Sequence, residues 1–76
     1  MENQIQERLK ALLAKEYGAE VDEQKMIGDQ YDLDSLSIVE MYLFIEEEFG
    51  VEVPEVDRKM KVSLADLVAI VEKVRK

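Results

Sequence analysis

Apolar residues recur at three- and four-residue spacing in three separate segments of this chain. Nowhere do they alternate long enough to build a sheet. Ile5, Leu9, Leu12 and Leu13 make the first stripe, which Tyr17 extends. The second is Ile38, Met41, Tyr42, Ile45 and Phe49, and the third is Leu64, Leu67, Val68, Val71 and Val74. Spacing of this kind puts side chains on one face of a helix. Val51-Glu52-Val53 alternates, but it stops at Pro54 and predicts no strand. With 76 residues, 47% of them hydrophobic, one small core is what the chain can build. The pattern predicts an all-α fold: a bundle of three main helices plus one short helix, in one domain over 1–76.

The ends of these helices are written in cap residues. Asn3 is a candidate N-cap for a helix over about 4–17, and Gly18 suits the position just past its last turn. Residues 18–34 then form a long connection, which a compact domain tolerates only when it is pinned. Val21, Met26, Ile27, Tyr31 and Leu33 are the expected pins. The second helix starts at Asp34 or Ser35 and ends at Phe49, before Gly50 and Pro54. Its length is about 22 Å. A short helix is expected over about 55–61. Ser63 caps the last helix, about 64–75, with Asp66 completing an acidic capping box. Lys73, Arg75 and Lys76 fall in its last turn, where cations suit the helix dipole.

The absence of Cys removes disulfides and thiolate metal sites, and the absence of His removes the usual general base and the commonest zinc ligand. A hydrolase triad or zinc centre is therefore not expected, and the chain reads as a non-enzyme with no metal site. No apolar run is longer than Met41 to Ile45, which is far too short to span a bilayer. The start Met1-Glu2-Asn3-Gln4 lacks the basic-then-apolar pattern of a signal peptide. These features predict a soluble cytoplasmic protein without membrane insertion, and nothing argues for an obligate oligomer.

Charge narrows the class of partner. The net charge is −8, and residues 29–57 hold ten acids and no base. Such a segment repels nucleic acid and anionic lipid and attracts surfaces carrying Lys and Arg. On the second helix, Leu36, Val39 and Leu43 form a stripe offset from the core face and flanked by Glu40, Glu46 and Glu47. One account makes this part of a single wide buried face. The other makes it an exposed apolar strip ringed by carboxylates. Glu46-Glu47-Glu48 oppose the dipole in the last turn, at roughly 0.3–1 kcal/mol each when exposed. By themselves they fit a merely solvated surface; the absence of any base over residues 29–57 is what favours a binding role.

Asp34-Ser35-Leu36 opens the same helix. Asp and Ser are preferred caps, so the tripeptide alone is weak. A functional account puts a phosphate-linked group on the Ser35 hydroxyl, where free N–H groups and the positive dipole end stabilise a phosphodiester. Asp34 beside it suits a divalent cation during phosphate transfer. The spacing from Asp29 to Glu40 is also that of a calcium loop, but Tyr31 and Leu33 fall where ligands belong and Asp34 where Gly belongs.

The run Asp34-Ser35-Leu36, Val39-Glu40, Ile45-Glu46-Glu47-Glu48-Phe49 and Val53-Pro54 resembles the acyl carrier proteins, and with the flanking helices the resemblance covers nearly the whole chain. It implies that Ser35 receives 4′-phosphopantetheine from coenzyme A through a Mg²⁺-dependent phosphopantetheinyl transferase. The arm's thiol then carries acyl groups as thioesters, which fits a chain without Cys. Asp34 and Leu36 flank the attachment residue. By the same resemblance Leu36, Val39, Glu40, Leu43, Glu46 and Glu47 form a recognition helix for basic patches on acyltransferases, synthases or ligases. The bound acyl chain can fold back into the helix interior. The main alternative is an acidic helical interaction module that is never modified, with Ser35 a mere cap.

The chain departs from that family in four places. Asp32 stands where many relatives have Gly, and Ser37 replaces a frequent acid. Residues 18–33 are atypical in length and content. Arg58-Lys59-Met60-Lys61 is basic where carriers of fatty-acid synthesis are commonly acidic, which points to a specialised partner set.

Overall fold

A computed structural model describes residues 2–75 of the chain, with side chains from Gln4 to Arg75. Its regular elements are all helical: α1 (Glu2–Tyr17), α2 (Ile27–Gln30), α3 (Ser35–Phe49), a 3-10 turn (Glu55–Asp57) and α4 (Leu64–Val74), with no strand among the described residues. Helix α1 packs against α4 and α3. The three stripes meet in one core. Ile5, Leu9 and Leu13 of α1 face Ile38, Met41, Tyr42 and Ile45 of α3 and Leu64, Leu67 and Val71 of α4, all fully buried. Phe49 and Val74, expected on the core faces, are only half-buried because they lie at the helix ends.

The caps follow local chemistry. Gly18 and Gly50 take left-handed φ values of +77° and +65° after α1 and α3, a conformation that carries a steric penalty for any residue with a Cβ. Ser63 accepts from the Asp66 N–H, and the Asp66 carboxylate accepts from the Ser63 N–H, which completes the capping box of α4. The start of α1 differs from expectation. The helix begins at Glu2, so Asn3 lies within its first turn and is not its cap. Helix α4 ends at Val74, which leaves Lys73 in its last turn and Arg75 at the cap position; Lys76 lies outside the described residues.

Two segments are organised differently from the sequence-based expectation. The connection 18–34 contains α2, a single turn whose Ile27 is fully buried and donates its N–H to the Val62 carbonyl at 2.7 Å. The Gln30 side chain ties the turn back, bonding both the N–H and the carbonyl of Asp22 and the Lys25 carbonyl. Tyr31 stacks on Tyr17 with ring centroids 4.9 Å apart and donates its hydroxyl to the Ala19 carbonyl. Val21 and Leu33 also pack on the core, but Met26 is 41% exposed and pins nothing. The expected helix over 55–61 shrinks to the 3-10 turn, after which the chain runs irregularly to Ser63. Tyr42 anchors that run: it is fully buried and donates its hydroxyl to the Lys59 carbonyl at 2.9 Å. Burial pushes its phenol up to about 12.

Candidate functional site

The N-terminus of α3 separates two residues that the sequence left interchangeable. Asp34 is the cap: its backbone is extended and its Oδ1 accepts the Ser37 N–H at 2.8 Å. That bond, followed by the Ser37 hydroxyl, holds the Asp34 carboxyl below its usual range. Ser35 is then the first helical residue, exposed, with its hydroxyl released from capping. The N–H groups of Ser35 and Leu36 have no acceptor inside the helix, so the helix tip offers donors and a positive dipole end to a phosphodiester. Asp32 enters this tip at φ +57°, adopting the left-handed turn that Gly would take and that Asp tolerates. The donor set suits the phosphate end of a pantetheine arm: one free hydroxyl, two open N–H groups and a committed carboxylate.

The offset stripe of α3 is exposed. Leu36 is 69%, Val39 40% and Leu43 47% exposed, so the single wide buried face is ruled out. The strip runs about 10 Å along the helix from Leu36 to Leu43. Glu40 and Glu47 are exposed on α3 together with it. Exposed Asp29, Asp32 and Asp34 extend the acidic field around the helix tip.

The acids of the last turn are not alike. Glu46 turns away from the strip: its Oε2 accepts the Val53 N–H at 2.8 Å and the Arg58 guanidinium at 3.0 Å. Glu48 pairs with Arg8 at 3.1 Å, and the same guanidinium donates to the Glu48 carbonyl and lies 4.4 Å from the Phe49 ring centre. A cation at the C-terminal carbonyls offsets the unfavourable dipole term. Only Glu47 of the three keeps a carboxylate without a salt-bridge partner among the described residues. The dipole cost expected of all three acids is offset at Glu46 and Glu48 by guanidinium partners, and the Glu46 carboxylate, expected beside Glu47 on the recognition face, is engaged within the fold. The sequence contains the signal in Arg8 and Arg58, but their pairing spans 40 and 12 residues and leaves no local pattern.

Residues 7–71 match the family described as a phosphopantetheine attachment site. The chain is 36% identical to an acyl carrier protein of Akkermansia muciniphila, over 97% of this chain and 96% of that one. It is 41% identical to an acyl carrier protein of Campylobacter curvus, over 71% and 69% of the two chains. A third relative, the acyl carrier protein of Campylobacter jejuni subsp. doylei, is 31% identical over 90% and 92%. The chain belongs to the acyl carrier protein family.

Membership makes the chain a carrier and not a catalyst, and the cofactor of the family domain is covalent 4′-phosphopantetheine. A carrier engages an acyl chain and partner enzymes. The alternative of a module that is never modified loses its footing. No helix among the described residues is long and apolar enough to cross a membrane.

Proposed function

We propose that Ser35 is the attachment residue. Its Oγ takes 4′-phosphopantetheine from coenzyme A through a phosphopantetheinyl transferase, and the arm's thiol carries acyl groups as thioesters. The pathway is fatty-acid or polyketide synthesis or a related specialised one, and the carrier works as a cytoplasmic monomer. The observation that supports Ser35 above all is the division of roles at the helix tip: Asp34 caps α3, which leaves the Ser35 hydroxyl exposed among open N–H donors. Leu36 beside it starts the apolar strip.

Leu36, Val39, Glu40, Leu43 and Glu47 form the recognition face for basic patches on the transferase and on acyltransferases, synthases or ligases. Exposed carboxylates around a narrow apolar strip favour fast, weak encounters, which a carrier that leaves each enzyme after one step requires. Glu46 is left out because its carboxylate is committed to Val53 and Arg58.

Incubation of the purified protein with coenzyme A, Mg²⁺ and a broad-specificity phosphopantetheinyl transferase tests the attachment. Intact mass rises by one phosphopantetheine, and Ser35→Ala gains nothing. A mass gain that survives Ser35→Ala moves the arm to another residue. Glu40→Lys with Glu47→Lys slows loading by about tenfold or more at low salt while helicity holds, the size expected when like charges replace steering. Equal rates would remove these two acids from the interface.

A further inference from the structure

The exposed large hydrophobic residues fall on two separate elements besides Met26. Leu36, Val39 and Leu43 belong to the acidic strip of α3; Val56, 83% exposed, stands on the 3-10 turn, and Met60, 49% exposed, on the irregular run between that turn and α4. There the sign of the charge inverts. Lys59 and Lys61 flank Met60, both are exposed, and neither lies within 4.0 Å of a carboxylate among the described residues.

The surrounding charges have partners of their own. Lys73 reaches both carboxylate oxygens of Asp57, at 3.0 and 3.3 Å. Asp66 Oδ2 accepts the Ser63 N–H, and Arg58 is held by Glu46 and the Val53 carbonyl. Glu55 is the exposed acid at the other end of the segment, so the cationic end is 59–61. Both lysines also line an open cleft against α4 together with Lys73, Asp57 and Asp66, where Ile70 and Ala69 add apolar surface. The backbone beneath is fixed by the Tyr42 hydroxyl on the Lys59 carbonyl and by the Ile27 N–H on the Val62 carbonyl. A fixed backbone lowers the ordering cost of binding.

We propose that the patch formed by Val56, Lys59, Met60 and Lys61 docks an acidic, apolar-tipped surface of a partner protein, distinct from the basic surface that α3 selects. Exposed methyl and thioether groups call for an apolar contact, and two unpaired ammonium groups call for carboxylates around it. A partner that spans both faces is two-signed: basic opposite Glu40 and Glu47, acidic opposite Lys59 and Lys61. A uniformly basic partner meets like charge at the second face, and such repulsion discriminates between partners. An anionic lipid surface is disfavoured because the molecule carries −8 overall. The inference holds whether or not Ser35 is modified.

The test is a titration of the ¹⁵N-labelled protein, followed by NMR, with two synthetic amphipathic helical peptides. Both carry the same Leu/Phe stripe; one is rimmed with Glu and the other with Lys. The Glu peptide moves the amides of Val56, Lys59, Met60 and Lys61, and its Kd weakens by about tenfold or more in the Lys59→Glu, Lys61→Glu variant. Lys59→Gln with Lys61→Gln gives a smaller loss in the same direction. The Lys peptide moves α3 instead. The proposal is overturned if the Glu peptide moves amides elsewhere, or binds the charge-reversed variant equally well while its circular dichroism matches the parent. It is also overturned if the same amides shift on concentrating the protein alone, which would make a second copy the occupant. Lysine-dependent sedimentation with phosphatidylglycerol vesicles overturns it in favour of a lipid surface.

Discussion

Asp34 and Ser35 share one capping chemistry, and the backbone assigns it to Asp34 alone. The consequence is electrostatic as well as geometric. The Ser37 N–H holds the Asp34 carboxyl below its ordinary 3.8, so the charged form is favoured in the folded protein. Stability from a carboxyl with a depressed pKa is complete above its unfolded value and disappears as pH falls through the folded one. Asp34→Asn keeps the acceptor, since Asn caps as well as Asp, but loses the charge at the positive end of the dipole. This variant is expected to melt below the parent at pH 7 and level with it once the pH has dropped past both values. Thermal melts followed by circular dichroism across that range check it, and a gap that persists in acid would assign the effect to something other than charge. Beside it, the tolerance of Asp32 for a left-handed turn was readable from residue type, and φ +57° agrees.

Among the elements, α3 combines an exposed acidic face and a tied-down end within one turn. Glu46 and Glu47 are neighbours in sequence, yet Glu46 links the helix to Val53 and Arg58 while Glu47 stands exposed. Glu46→Ala leaves the Val53 N–H and the Arg58 guanidinium without their acceptor, and it is expected to destabilise by about 1–3 kcal/mol. Glu47→Ala is expected within about 0.5 kcal/mol of the parent. Urea unfolding of the two variants separates these roles; equal losses would contradict the division. The same contrast marks how far the sequence could be read. The long helices were legible because Leu9, Tyr42 and Leu67 sit in stripes with a helical period, and Gly18, Gly50 and Ser63 mark their ends. Helix α2 was not, because one turn is too short to show a period and depends on distant partners such as Val62. The 55–61 segment failed for the converse reason: Arg58 leaves the helical region at ψ 72° while its guanidinium is held by Glu46 and the Val53 carbonyl, so long-range bonds outweigh local helical potential. At the site, the position of Ser35 at the helix start was legible and the exposed strip was one of two accounts the pattern left open, but the inward turn of Glu46 could not be read.

At the scale of the whole molecule, charge acts in two opposed directions. The protein measures 31 × 25 × 19 Å and carries −8, with its acids concentrated on one helix and the loops around its tip. At about 0.01 M salt the screening length is about 30 Å, comparable to the molecule, so every carboxylate feels the others. At about 0.15 M it falls to about 8 Å, and only near neighbours count. Adding salt therefore relieves self-repulsion in the folded state. The ion pairs it weakens in return are mostly exposed: Arg8–Glu48, Lys10–Glu23 and Lys73–Asp57 each include a well-exposed partner and contribute little. The melting temperature is expected to rise over this interval. Encounter with a basic transferase responds in the opposite sense, because the acidic field that destabilises the fold also steers the approach. The rate of phosphopantetheine loading is expected to fall as the melting temperature rises, measured on one preparation across one salt series. In the Glu40→Lys, Glu47→Lys variant the loading rate loses most of its salt dependence, while the melting temperature still rises, if less steeply, because four charge units have been removed from the excess. Loading that speeds up with salt in the parent would place the partner's charge on the wrong side of the argument. A melting temperature that falls would show that the exposed ion pairs outweigh the repulsion they sit in.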